Sequence, residues 1–262
     1  MKKRGYLLFL LFLLPISSSA EHFFVAVLKK RTGYTEQIMI SKTKLGHLTT
    51  PVVKAWKEGY RITDISHSPR RWSLVLSKGT NIKRQLYIHY RLISDFENAV
   101  QQYMKKGYEI SNVENGVGEW VAVLEKGNRF KKSKMIVTRQ QAEAEAYIHR
   151  ETKKGYRLID IEAAEGYWVI LFAKNTDNTT QTYAISENWK SLEKVIRSHW
   201  KAGDRIVALE YGDNYWFSIY TQKKYSPAEL YIRRHNYNIF RNSIRKYWKE
   251  GYRITDLAEG RK

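Results

Sequence analysis

The stretch Trp56-Lys57-Glu58-Gly59-Tyr60-Arg61-Ile62-Thr63 decides the fold, because its glycine belongs to a series that recurs every 48 residues. The members of that series are Gly59, Gly107, Gly155, Gly203 and Gly251. A tryptophan follows 13 residues after each of the first four, as Trp72, Trp120, Trp168 and Trp216. A fixed period without insertions is the signature of a repeat architecture.

One repeat unit predicts a helix followed by three strands. Before the glycine, the apolar residues Leu48, Val52 and Trp56 stand four apart, which is the spacing of one buried helix face. The glycine is expected to end the helix, because it adopts the left-handed conformation at little cost. Three strands follow, over residues 60–65, 72–76 and 85–90, and the apolar second one is expected to be buried on both faces. The order is helix–β–β–β.

The two ends of the chain hold the two halves of a fifth unit. The last repeat stops at Lys262, before its tryptophan, and Phe24 stands 48 residues before Trp72. Pairing the N-terminal strands with the C-terminal strand would remove exposed sheet edges, as in β-propellers. We therefore predict an α/β fold of five repeats closed into a propeller-like ring, in preference to an open solenoid. The domain spans residues 21–262, with 21–46 and 239–262 together forming the split unit.

Three motifs carry a resemblance to a known family: TGYTEQ at residues 32–37, WKEGYRIT at 56–63 and WVAVLEKG at 120–127. They resemble an uncharacterised repeat domain that follows the catalytic domain of plant casein-kinase-like proteins and also occurs alone in bacteria. Asp204 in place of a tyrosine and Phe24 in place of a tryptophan depart from the pattern. The resemblance implies an accessory or binding role without assigned catalytic residues. Kinase activity is not implied, because the chain has no kinase domain.

Residues 1–20 are predicted to be a signal peptide. Three basic residues precede an apolar run of about eleven residues, which is too short for a bilayer span of roughly 20. Small residues up to Ala20 provide a cleavage site, so we expect a secreted or periplasmic protein without a membrane span in its mature part. The chain has no cysteine, which excludes disulfides, a lipoprotein anchor and thiolate metal sites.

No catalytic or metal-binding pattern is visible in the sequence. None of the seven histidines recurs with the period, and no motif has metal-ligand spacing. Five-fold α/β propellers include guanidino-modifying enzymes, but these mostly use a cysteine nucleophile. We therefore expect no metal, no cofactor and no catalytic residue, although an enzyme is not excluded.

Three periodic columns of polar residues are the candidate ligand site. The arginine column is Arg61, Arg157, Arg205 and Arg253; the tyrosine column is Tyr60, Tyr108, Tyr156 and Tyr252; the lysine column is Lys30, Lys78, Lys126 and Lys174. In a ring, equivalent positions lie at equal radius, so four arginines could converge on an anion. Alternatively, each arginine pairs with a nearby carboxylate such as Asp64, Asp160 or Asp256. The tryptophan column is expected to be core rather than a sugar-stacking surface.

The leading functional hypothesis is a noncatalytic binding module for an anionic or polar ligand at one face of the ring. The formal net charge is +20, or +17 without the three basic residues of segment 1–20, which fits an acidic partner. Nucleic acid is an improbable partner for an exported protein. A hydrolase acting on envelope polymers would need two close carboxylates with raised pKa. A scaffold for protein partners would need an exposed apolar patch.

Overall fold

The computed structural model describes residues 22–68, 70–127, 129–174, 180–222 and 228–261. The predicted signal peptide at residues 1–20 lies outside the described residues. Within those ranges, no helix has both the length and the apolar character needed to cross a membrane.

Helices and strands follow one another in the helix–β–β–β order that the repeat predicts. The helices of the described ranges are α1 (Thr49–Lys57), α2 (Ile93–Lys105), α3 (Gln141–Lys153), α4 (Trp189–Lys201) and α5 (Tyr237–Lys249), and a short 3-10 helix, Leu45–Leu48, precedes α1. The strands are β1 (His22–Lys29), β2 (Gln37–Lys42), β3 (Arg61–Ser68), β4 (Arg71–Ser77), β5 (Ile82–Tyr90), β6 (Glu109–Gly116), β7 (Glu119–Gly127), β8 (Lys132–Thr138), β9 (Arg157–Ala164), β10 (Tyr167–Lys174), β11 (Gln181–Ser186), β12 (Asp204–Gly212), β13 (Tyr215–Gln222), β14 (Glu229–Arg234) and β15 (Arg253–Arg261).

The periodic glycine ends its helix as predicted. Gly59 has a φ of 90°, and its N–H donates to the Trp56 carbonyl at 3.1 Å. The next N–H, that of Tyr60, donates to the Ala55 carbonyl at 3.0 Å. These two bonds satisfy carbonyls that the helix end would otherwise leave unpaired, and only a left-handed residue at position 59 allows them.

Five antiparallel three-stranded sheets contain the strands. Their orders are β14-β1-β15, β2-β4-β3, β5-β7-β6, β8-β10-β9 and β11-β13-β12. The middle strand of each sheet is buried on both faces, and the four tryptophans of the column are core residues, as predicted. The third strand of each sequence repeat, however, pairs within the sheet of the following repeat. The sheets are therefore offset by one strand from the helix–β–β–β unit.

The two ends of the chain meet in one sheet. β1 lies between β14 and β15, with Val27 opposite Tyr231 on one side and Asp256 on the other. β2 does not join this sheet, since it pairs with β4. Of the segment 21–46 that the sequence assigns to the split unit, β1 is thus the strand that completes the C-terminal sheet.

Each strand that follows a helix contacts two others of the same kind. In this group of post-helix strands, β3 contacts β6, β6 contacts β9, β9 contacts β12, β12 contacts β15, and β15 contacts β3. A glycine permits one close approach: a Cβ on Gly116 of β6 would lie 2.1 Å from Cγ of His67 in β3.

A polar side chain from the third strand of each repeat joins neighbouring sheets. The amide of Gln85 in β5 accepts from the Ile62 N–H at 2.7 Å and donates to the Ile62 carbonyl at 2.8 Å. Ile62 stands at an irregularity of the β3–β4 pairing, which leaves these backbone groups available. The same joint recurs as Gln37 with Ile254, Ser133 with Ile110, Gln181 with Leu158 and Glu229 with Ile206.

Candidate functional site

The lysine and tyrosine columns meet in four cation–π pairs. The ammonium nitrogen of each lysine lies 4.5–4.8 Å from the centre of a tyrosine ring; the pairs are Lys30 with Tyr252, Lys78 with Tyr60, Lys126 with Tyr108 and Lys174 with Tyr156. The face of an aromatic ring attracts a cation through its quadrupole. The sequence pattern indicates both columns as candidate ligand-binding residues, but it does not predict that the lysines stack on the tyrosines.

Each arginine of the column donates to backbone carbonyls at or just after the end of the preceding helix. Nη1 of Arg61 donates to the Trp56 carbonyl at 3.1 Å and to the Tyr60 carbonyl at 2.6 Å. Arg253 makes the matching bonds to the carbonyls of Trp248 and Tyr252. A cation at a helix C-terminus offsets the negative end of the helix dipole. Arg157 and Arg205 likewise donate to the carbonyls of Tyr156 and Asp204.

All three columns lie at the same end of the sheets. Arg61 begins β3 and stands opposite Ser77, the last residue of β4, so Lys78 comes next to it. Three sheets carry a complete tyrosine–arginine–lysine triplet: Tyr60, Arg61 and Lys78; Tyr156, Arg157 and Lys174; Tyr252, Arg253 and Lys30. Glu109 replaces the arginine in a fourth sheet, and Asp204 and Gln222 replace tyrosine and lysine in the fifth. We call this end, defined by the three columns, the basic end.

The aspartates that could have paired with the arginines join the post-helix strands instead. Oδ2 of Asp160 in β9 accepts from the Val113 N–H of β6 at 2.8 Å, and Oδ2 of Asp256 in β15 accepts from the Leu209 N–H of β12 at 2.9 Å. Asp64 in β3 accepts from the N–H of Leu257 in β15. We call Asp64, Asp160 and Asp256 the aspartate column. These bonds lie between strands of different sheets and fix their relative positions.

A second set of acidic residues converges on the post-helix strands β6, β9 and β12, at the repeat position two residues after that of the aspartate column. Glu114, Glu162 and Glu210 each offer a carboxylate oxygen, and these oxygens all lie within 4.8 Å of one another. Their side chains are 5%, 5% and 9% exposed. We call these three residues the acidic layer. In the sequence they are simply three glutamates spaced by 48 residues.

Burial dominates the electrostatics of these carboxyl groups. It raises the pKa of Glu114, Glu162 and Glu210 well above the usual value, and neighbouring carboxylates add to the effect. Burial also raises the pKa of Asp160 to about 7, although the N–H groups of Val113 and Ile161 oppose that rise. The pKa of Glu259, on β15, rises to about 8 for the same reason.

A comparison with protein families gives one match. Residues 84–261 match the model of a family described as a domain of unknown function, DUF7477. The chain belongs to this family. The DUF7477 match includes all of the acidic layer, while the triplet of Tyr60, Arg61 and Lys78 lies before it. No curated protein matches the chain.

Two clefts in the described part of this DUF7477 chain lie between a helix and the first strand of a sheet. One, of about 180 Å³, is lined by His149 and Thr152 of α3 and by Gln181 and Tyr183 of β11. A second, of about 170 Å³, lies between β2 and α5 and is lined by Arg241 and Arg245, among others. Neither cleft is lined by the acidic layer.

One feature of the sequence indicates the acidic layer. Residues 66, 114, 162, 210 and 258 form a column two positions after the aspartate column, so both face the same side of the post-helix strands. Three of these five positions are glutamates. Periodic acidic residues within an otherwise apolar strand pattern were sufficient to predict a cluster.

Proposed function

We propose that this chain is an exported, noncatalytic binding module that holds an anionic ligand at the basic end. The observation that carries the proposal is the tyrosine–arginine–lysine triplet, which three of the five sheets present in the same arrangement. An anionic polymer with repeated charges fits best, because it can contact several triplets at once and gain affinity from their combination.

Pre-organisation makes the triplets suited to binding. A free lysine loses rotamer freedom when it binds, whereas a lysine already stacked on a tyrosine has lost part of it. The stacked lysines are only partly buried. The ammonium of Lys78 also forms an ion pair with Glu36 at 3.1 Å, so an anionic ligand would compete with that carboxylate there. Arg61 and Arg253 are held by helix carbonyls and keep their positive charge beside the lysine. The overall excess of basic residues attracts the same class of ligand over a longer range.

A closed arrangement of the sheets would place the triplets around one opening. We propose that the five sheets form the predicted propeller-like ring, since the contact of β15 with β3 completes the series of post-helix strands. The joints between sheets support the same arrangement, because Gln37 and Glu229 connect the C-terminal sheet to its two neighbours. Such a ring would have no first or last sheet.

Export and an accessory role complete the proposal. The basic and small residues of segment 1–20 favour a secreted or periplasmic location, where anionic envelope polymers or glycans are the available partners. Nucleic acid is not expected there. The resemblance to a repeat domain that accompanies plant kinases supports an accessory role without catalysis.

A hydrolase is the second candidate, and the acidic layer is what favours it. Close carboxyl groups with raised pKa are the arrangement that general acid catalysis uses. However, the three side chains are almost fully enclosed, and the clefts described above lie elsewhere.

The test uses a polysulfated glycan and a matched pair of triple variants. Lys30→Gln/Lys78→Gln/Lys174→Gln removes three stacked lysines, and Lys42→Gln/Lys44→Gln/Lys190→Gln removes three exposed lysines outside the columns. By isothermal titration calorimetry, the first variant should bind at least about tenfold more weakly than the wild type, as expected when about 1.4 kcal/mol is lost. The control should bind nearly as the wild type does. Equal loss in both variants would mean that net charge, not the triplets, binds the glycan.

A further inference from the structure

The sheet β8-β10-β9 brings extra positive charge to the basic end. It carries the triplet of Tyr156, Arg157 and Lys174, and the ammonium nitrogen of Lys174 lies 4.7 Å from the centre of the Tyr156 ring. The ammonium nitrogen of Lys134, in β8, lies 4.8 Å from the same centre. Two cations therefore share this ring. Among the described residues, each of the other three tyrosines of the column stacks with one lysine.

A buried glutamate gathers further cations at the same place. Glu151, in the last turn of α3, is fully buried. Its carboxylate forms ion pairs with Lys134, Arg150 and Lys154. Burial acts to raise the pKa of Glu151, but the hydrogen bonds from these three cations outweigh it and lower the pKa to about 2. Glu151 is therefore ionised and holds the three cations around one point, while the side chains of Arg150 and Lys154 remain 53% and 55% exposed.

Positive charge exceeds negative charge in this region. Lys132 stands directly opposite Lys174 in the β8–β10 pairing, so their side chains lie on the same face of the sheet and repel each other. Within the described ranges, neither of these two lysines forms an ion pair. We give the name Tyr156 cluster to five cations: Lys132, Lys134, Arg150, Lys154 and Lys174. Glu151 neutralises only one of the five charges.

The other repeats lack the buried charge pair that builds the cluster. The preceding repeat has Leu86 at the position of Lys134 and Tyr103 at the position of Glu151, and both pack against an apolar core. No other repeat combines a lysine and a glutamate at these two positions. Apolar residues commonly stabilise a fold as well as a buried ion pair does, so packing alone does not account for the pair in this repeat.

We propose that the Tyr156 cluster is the strongest subsite for the anionic polymer and that it binds a sulfate or phosphate ester group. The inference rests on the proposed function of the basic end and assigns its main contact to one sheet. A tetrahedral oxyanion presents several oxygens in different directions, which suits ammonium groups that approach from different elements. A carboxylate presents its two oxygens in one plane and can contact fewer of these cations. The bound anion also offsets the repulsion between Lys132 and Lys174.

The test compares two double variants at equivalent repeat positions. Lys132→Gln/Lys154→Gln removes two members of the cluster, and Arg84→Gln/Lys106→Gln removes the two cations that stand 48 residues earlier. All four side chains are exposed, so both variants should fold. Isothermal titration calorimetry at low salt uses a polysulfated glycan and, separately, polyphosphate. For both polymers, the first variant should bind about fivefold more weakly than the wild type, and the second should change affinity by less than about twofold.

A third polymer tests the class of the bound group. A polyuronate of matched total charge carries carboxylates alone, and it should bind the wild type more weakly than the polysulfated glycan does. The inference is overturned if the two double variants lose affinity equally, or if the polyuronate binds as tightly as the glycan.

The outcome for Lys30→Gln/Lys78→Gln/Lys174→Gln distinguishes this inference from the proposed function. If the matched double variants bind equally while the triple variant still loses about tenfold in affinity, the basic end binds the polymer without a preferred sheet. If the triple variant binds as its lysine control does, the proposed function itself fails, and the assignment of the Tyr156 cluster fails with it.

Discussion

The basic end and the acidic layer arise from the same 48-residue spacing, yet their charges are arranged in opposite ways. At the basic end, the lysines and arginines bind groups of their own sheet or of the preceding helix end, as Lys78 does on Tyr60, and Lys78 and Arg253 also bind Glu36 and Thr35 of the loop before β2. In the acidic layer, glutamates from three sheets approach within 4.8 Å. The positive charges of the basic end are spread over several sheets and are partly exposed, whereas the carboxyl groups of the acidic layer lie close together and are buried.

The difference shows that a repeat alone does not say which columns converge. Convergence requires that the strand carrying the column contacts its equivalents, as each post-helix strand contacts two others. Arg61 begins such a strand, but its side chain turns back to the helix end, whereas Asp64 and Glu114 face the neighbouring strands. Whether a column forms a binding surface or part of the core therefore depends on how far along the strand it lies and on which face of the strand it occupies.

The largest expected effect is that of pH on the acidic residues. The pKa of Asp160 is about 7 and that of Glu259 about 8 in the folded chain, both well above the usual carboxyl value. Groups with a raised pKa bind more protons in the folded state, so their contribution is complete at acidic pH and is lost as pH rises through about 7 to 8. We expect the free energy of unfolding, measured by urea titration, to fall by several kcal/mol between pH 5 and pH 9, because each group costs about 1.4 kcal/mol per pH unit between its unfolded and its folded pKa. A flat profile would contradict the burial of these groups.

A smaller effect is expected from removing one bond between post-helix strands. Asp64→Ala leaves the Leu257 N–H and the side-chain amide of Asn112 without their acceptor. Loss of a buried acceptor should destabilise the chain by about 1–3 kcal/mol in urea unfolding. Asp64→Asn keeps an acceptor of the same shape and should be destabilised less. Equal effects of the two substitutions would assign the loss to packing instead.

The corresponding substitution at the basic end should reduce the free energy of unfolding by a smaller amount. Arg61→Gln removes the bonds to the part-buried carbonyls of Trp56 and Tyr60 at the end of α1. We expect a loss of no more than about 1 kcal/mol, the usual value for a cation at a helix C-terminus. The same urea titration measures it. An effect as large as that of Asp64→Ala would mean that the two regions are equally structural.

The smallest effect is expected from a substitution of Glu109, which occupies the arginine position in the sheet β5-β7-β6. Glu109 places a negative charge at the basic end and accepts from the Ser133 N–H. Glu109→Gln removes the charge and keeps an acceptor, so affinity for a polysulfated glycan should rise by about twofold to threefold at low salt, where charges are least screened. At high salt the gain should vanish. Weaker binding would place the ligand away from this end.

The period, the helix faces and the glycine ends were predictable from the sequence because they depend on residues close together in the chain. The core position of Trp120 and its equivalents followed from the apolar strand that each begins. The pairing of β5 with β7, in the sheet of the following repeat, was not predictable, because strand pairing depends on contacts between residues distant in sequence. For the same reason, the sequence pointed to the arginine column rather than to Glu114, Glu162 and Glu210 as the column that converges.

The central claim is that the basic end binds while the post-helix strands hold the fold. Measuring polysulfated-glycan affinity and unfolding free energy together for Lys30→Gln/Lys78→Gln/Lys174→Gln and for Asp64→Ala tests it most directly. The lysine variant should lose about tenfold in affinity and less than about 1 kcal/mol in stability, since exposed charges contribute little to folding. Asp64→Ala should keep its affinity at a temperature where it is folded and lose about 1–3 kcal/mol in stability. If Asp64→Ala loses affinity while the lysine variant keeps it, the ligand binds at the acidic strands and the account is wrong.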